Sequence, residues 1–175
     1  MNRAEGVDQA LQSYADRTVG RPSIVEMIAH AGSARRFAEQ IGVSTRTAER
    51  WRAFEQGRTS QGRNVNRSPA GVKERVGDYR RAVQWPRAAA HMRRIGEDGG
   101  TISVSFSGVV MDPSGDDRDR DIDLDNVDPF ALAQAFTAGP EAGDVFQGAY
   151  NEAWGVGDGF SFSSIEALGF DDYEQ

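Results

Sequence analysis

The chain has 175 residues, 38% of them apolar, enough for one domain or two small ones with a core that needs no disulfide. It contains no cysteine, which excludes a disulfide framework, thiolate chemistry and Cys-rich zinc sites. Its net charge of −7 conceals two opposite parts: residues 1–96 hold 18 Lys and Arg against 9 Asp and Glu, whereas residues 97–175 hold 2 against 18.

The first part can accumulate on polyphosphate and the second is repelled by it. Of the basic residues only Lys73 is lysine. The planar fork of Arg suits phosphate and guanine, but a GC-rich coding bias or a salt-adapted source explains the ratio equally well, and no function is inferred from it. The N-terminus opens no apolar signal region, and no run approaches the ~20 apolar residues of a membrane span, so a cytoplasmic, nucleoid-associated protein without membrane partners is expected.

A first helix is predicted from about Arg3 to Asp16, with Val7, Ala10, Leu11 and Tyr14 on one face. After Arg21 and Pro22, Ser23 and Glu26 form a capping-box pattern ahead of Ile24, Val25, Met27 and Ile28, and this second helix ends near Gly32. Ser33 caps a third helix, Ala34 to Ile41, and Ser44 caps a fourth, Thr45 to about Gln56. Ala38 stands four residues before Gly42, and Phe37, Ile41, Val43, Ala48 and Trp51 fall where two helices of a helix-turn-helix must touch. Gly42 supplies the left-handed turn residue, and Ala38 allows close backbone approach. Such a unit places its second helix in DNA. Thr45, Arg46, Thr47 and Arg50 would face the groove beside the capping Ser44, with Glu49 able to accept from cytosine and Arg52 nearer the backbone.

Residues 57–68 are polar and carry Arg58, Arg63 and Arg67 with no acid, which reads as a basic arm or wing, or as a plain linker. Ser68 and Pro69 restart a helix to about Gln84, Pro86 interrupts it, and a further turn runs to about Arg94. After Gly99 and Gly100 the apolar period changes to two, Ile102, Val104 and Phe106 alternating with serines, which predicts a strand with one wet face. Residues 112–128 read as an acidic loop with a short strand at Asp121 to Asp125. Asp128 and Pro129 open a helix to about Thr137, and Pro140 opens another to about Trp154, with Phe146, Tyr150 and Trp154 on one face. Phe160 and Phe162 suggest a second strand, followed by a short helix near Ile165 to Leu168 and an acidic, aromatic tail.

The fold class expected is α+β: an N-terminal helical helix-turn-helix domain (1–56), a basic arm and helical connector (57–96), and a small acidic α+β domain with a short antiparallel sheet (97–175). Asp119, Asp121 and Asp123 alternate as in the first half of a calcium loop, but Leu124 stands where the loop needs glycine and Phe130 where it needs the closing Glu. His30 and His91 lie in no nucleophile or metal motif. No Walker loop, nucleophile elbow or HExxH occurs, so neither a catalytic site nor a cofactor or metal is expected.

The order of these parts resembles the telomere terminal proteins of actinobacterial linear replicons, which become covalently joined to DNA 5′ ends through a side-chain hydroxyl. The matching pieces are the motif Ala34 to Trp51, the basic helical connector, the strand Gly100 to Gly108, the stretch Pro113-Ser114-Gly115-Asp116-Asp117-Arg118 and the closing aromatic, acidic segment. The resemblance implies that Ser114 takes the place of the family's priming Thr. A partner polymerase would transfer a nucleotide to it, and the chain would be primer rather than catalyst. The partners implied are double-stranded DNA and a DNA polymerase or telomere-binding protein, with a homodimer also open. Two other readings stand beside it: a transcriptional or plasmid-copy regulator, and an interaction adaptor whose acidic part imitates DNA or recruits a basic partner.

Overall fold

The computed structural model describes residues 2–59, 65–111, 114–115, 117–155 and 161–173. Among them are seven α-helices and a three-stranded antiparallel sheet, an α+β fold: α1 (Arg3–Thr18), α2 (Ile24–Ala31), α3 (Ala34–Ile41), α4 (Thr45–Glu55), α5 (Ala70–Glu97), β1 (Thr101–Met111), β2 (Asp117–Val127), α6 (Pro129–Ala135), α7 (Ala142–Trp154) and β3 (Ser161–Tyr173). The chain divides into two compact units, residues 20–84 and residues 1–19 with 85–175. The division differs from the sequence expectation. α1 belongs with the sheet rather than with the helix-turn-helix, because Val7, Ala10, Leu11 and Tyr14 are buried in the same core as β1.

In the sheet unit the strand order is β2-β1-β3. Ile102, Val104, Phe106 and Val110 of β1 point into a core shared with Phe162, Ile165 and Phe170 of β3, Phe146 and Tyr150 of α7, Leu132 of α6 and Met92 of α5. Its centre is aromatic: Phe162 lies 4.6 Å from Phe106, 5.1 Å from Tyr150 and 5.5 Å from Phe146, ring centre to ring centre, within the range where offset and edge-on rings attract.

Three sequence expectations are corrected. The acidic segment is not a loop with a short strand, because β2 spans Asp117–Val127 and pairs along β1 from Met111↔Asp117 to Ile102↔Val127. Its alternation is an edge strand's: Asp117, Asp119, Asp121, Asp123 and Asp125 lie exposed on one face, while Ile122 and Leu124 pack against the core on the other. Residues 165–168 are not a helix but part of the continuous β3. The pairing of β1 with β3 shifts register between Ser107 and Gly108 and between Val109 and Val110, so inward residues fall at Phe162, Ile165, Leu168 and Phe170, a spacing that imitates a helix. Gly108 sits at such a shift, where a Cβ would lie 2.3 Å from the Ser164 carbonyl oxygen.

Pro86, finally, does not interrupt the helix, because α5 is continuous through it. Pro86 removes one backbone donor, but the residues around it are anchored on both sides. Val83 and Gln84 are buried before it and Ala88, Ala89 and Met92 after it, Gln84 Nε2 donating to the Gly20 carbonyl at 2.8 Å. Phe160 and Arg63 lie outside the described residues.

Candidate nucleic-acid interface

The residue 20–84 unit is built on α2, α3, α4 and the start of α5, around Ile24, Met27, Ile28, Phe37, Ala38, Ile41, Ala48, Trp51, Val76 and Val83. Each helix starts as its cap residue dictates. Ser23 accepts from Glu26 N while the Glu26 carboxylate accepts from Ser23 N at 2.9 Å, a complete capping box. Ser33 Oγ accepts from Arg36 N and Ser44 Oγ from Thr47 N, both at 3.2 Å.

The turn between α3 and α4 is Gly42-Val43-Ser44. Gly42 has φ 67° and ψ 43°, the left-handed conformation that ends α3, and Val43 N donates back to the Ala38 carbonyl at 2.9 Å. A residue that sequence reasoning did not single out holds this corner: Arg75 Nε of α5 donates to the Ile41 carbonyl at 2.7 Å. A second is Glu55, whose carboxylate accepts from Ile24 N at 2.7 Å and Val25 N at 3.3 Å, tying the end of α4 to the exposed donors at the start of α2. Only the excess of donors at a helix start hints at Glu55, and no local pattern selects it.

α4 is two-sided. Ala48 and Trp51 are buried at 0% and 2% exposure, so this side is fixed to the core, whereas Thr45, Arg46, Glu49 and Arg50 are exposed. Among the described residues none donates to, accepts from or pairs with the side chains of Arg46, Glu49 or Arg50. Ser44 and Thr47, predicted beside them, belong to the fold as much as to a surface, since their hydroxyls bond each other at 2.9 Å across the cap. Arg52 is half-buried, and its Nε is buried without a hydrogen-bond partner among the described residues. Arg58 is exposed and donates to Gln56 Oε1. Arg67 is exposed and closes a short 3-10 turn, Val65–Arg67, ahead of α5. Between the start of α4 and the start of α5 a recess of about 350 Å3 opens, and both Arg50 and Arg67 line it.

This unit carries 13 Lys and Arg against 6 Asp and Glu, and the sheet unit 7 against 21. Ser114 lies in the other unit, exposed in the connection between β1 and β2, next to Gly115 at φ 87°. Among the described residues no group of three or more His, Cys, Asp or Glu is placed to hold a metal ion, the aspartates of β2 being strung along an extended strand. Nor is any described helix long and apolar enough to cross a membrane. His91 Nε2 lies 3.0 Å from Asp172, whose other oxygen accepts from Tyr14 Oη at 2.6 Å, a cluster that joins α1, α5 and β3. No protein-family model, curated protein or solved structure matches the chain.

Proposed function

We propose that the chain binds duplex DNA through the helix-turn-helix of residues 20–84, with α4 lying in the major groove. Thr45, Arg46 and Glu49 meet base edges, and the surrounding guanidinium groups meet the backbone. The observation that carries this reading is the two-sidedness of α4: Ala48 and Trp51 hold it rigidly while Arg46, Glu49 and Arg50 project with no partner among the described residues. A rigid helix offering uncommitted donors and one acceptor suits the donor and acceptor pattern of the major groove, where a bidentate Arg–guanine contact discriminates by ~1–3 kcal/mol. The positive balance of the unit supplies the sequence-independent attraction.

The narrower role, a terminal protein at replicon ends, rests on the resemblance and on the exposure of Ser114 in the β1–β2 connection. There the Ser114 oxygen attacks the α-phosphate of a deoxynucleoside triphosphate bound to a partner polymerase, pyrophosphate leaves and the hydroxyl proton is lost, giving a phosphodiester to the protein. Two experiments separate these levels. Selection from a randomised duplex pool is expected to return a shared motif, which Arg46→Ala relaxes at one or two positions; a pool that emerges without a motif contradicts the groove reading. Incubation with a polymerase and labelled dNTP is expected to label the wild type and not Ser114→Ala, and equal labelling of both contradicts the primer role.

A further inference from the structure

We infer that the recess between the starts of α4 and α5 is a binding site for one phosphate of the DNA backbone, with Arg50 and Arg67 as its paired anion-binding side chains; this rests on the DNA-binding reading above. Its volume of about 350 Å3 far exceeds the ~10–15 Å3 that a single water needs, so an anion can enter with part of its hydration. Trp51, Val43 and Val72 form part of its wall, which lowers the local dielectric and strengthens any charge–charge contact inside.

The two guanidiniums come from separate elements, Arg50 from α4 and Arg67 from the turn ahead of α5. Neither has a hydrogen-bond or ion-pair partner among the described residues, and no Asp or Glu lines the recess with them. Two cations that share a concave site without an acid between them repel each other, and an anion removes that repulsion. The hydroxyls of Ser44, Thr47 and Ser68 line the same space. Planar forks suit tetrahedral phosphate oxygens. A phosphate held here is tied to α4, the helix that also carries the exposed Arg46 and Glu49 outside the recess, so its capture fixes how deep and in which register the helix sits. Arg50 therefore positions, while Arg46 discriminates.

The test is a salt titration of DNA binding, with the selected duplex and an unrelated duplex of equal length, for the wild type, Arg50→Gln, Arg67→Gln, Arg67→Lys and Arg46→Ala. Arg50→Gln and Arg67→Gln are each expected to weaken both duplexes roughly five- to tenfold and to lower the slope of log K against log salt, with the two combined lowering it by about 0.9 in all because they share one phosphate, and to leave the ratio between duplexes unchanged. Arg67→Lys, which keeps the charge, is expected to retain the slope. Arg46→Ala is expected to lower the ratio, by roughly five- to a hundredfold, with less effect on the unrelated duplex. Wild-type slopes in both Gln variants, or a collapsed ratio in Arg50→Gln, would overturn the phosphate site while leaving DNA binding standing. A wild-type protein that binds neither duplex overturns both.

Discussion

Gly42 concentrates several requirements in one residue. Its φ of 67° is open to glycine at little cost, and a Cβ built there would lie 3.2–3.3 Å from the Arg75 guanidinium that caps α3. Gly42→Ala combines a left-handed penalty of ~1–2 kcal/mol with displacement of that cap. It is expected to lower the melting temperature by roughly 5–10 °C, read by thermal unfolding. An unchanged melting temperature contradicts the role given to this corner. Tyr150 poses the opposite case. Its hydroxyl is buried without a partner among the described residues, and burial, with a lesser contribution from Asp123, pushes its ionisation well above the ordinary tyrosine range. Tyr14 is raised too, first by burial and then by its hydrogen bond to Asp172. For both, the fold favours the protonated form, so their contribution is whole below the unfolded value near 10 and is lost as pH rises above it. Urea unfolding at pH 8 and pH 11 is expected to show that loss, and Tyr150→Phe is expected to reduce it and to add about 1 kcal/mol at pH 8 by removing an unsatisfied polar atom. A less stable Tyr150→Phe contradicts this.

At the scale of elements, α5 carries a proline in its interior, one residue beyond the Gln84–Trp85 boundary between the two units. An interior proline costs a helix ~3 kcal/mol, of which a stiffer unfolded chain returns up to ~1. Pro86→Ala is therefore expected to raise stability by about 2 kcal/mol, measured by chemical denaturation; a loss of stability contradicts this. What the sequence made legible follows from where the physics is local. The capping residues Ser23, Ser33 and Ser44 and the turn at Gly42 fixed α2, α3 and α4 almost to the residue, because a cap is a contact between near neighbours. α5, β2 and β3 differ from what the sequence predicts because their outcomes are decided far away. Pro86 is tolerated through buried neighbours, the aspartates of β2 are held extended by β1, and two register shifts gave β3 a false helical period. The candidate surface was legible at Arg46, Glu49 and Arg50, which follow from helix periodicity once Trp51 is placed inside. The recess shared by Arg50 and Arg67, the corner held by Arg75 and the Glu55 tie were not, because each joins residues distant in the chain.

At the scale of the whole molecule, opposite charges are sorted between units, 13 basic against 6 acidic residues in one and 7 against 21 in the other. The exposed aspartates of β2 recur every second residue, about 6.8 Å apart along the strand, a row of like charge that repels polyphosphate over a Debye length of about 8 Å at physiological salt. If the chain binds DNA as proposed, such a field would weaken unspecific association without touching base contacts. Replacing Asp119, Asp121, Asp123 and Asp125 together by Asn is expected to strengthen binding to an unrelated duplex by up to roughly tenfold at low salt, with the gain vanishing near 0.5 M. A gain that persists at high salt, or none at low salt, contradicts a purely electrostatic role.

In the proposed complex α4 lies in the major groove with Arg46 against a base edge. Methylation interference at guanine N7 on the selected duplex tests it most directly, since N7 lies on the major-groove edge. The expected result is a small set of guanines whose methylation blocks the wild type, one of which ceases to matter in Arg46→Ala while the others remain. Binding that ignores N7 methylation throughout, or an interference pattern identical in the two proteins, contradicts it.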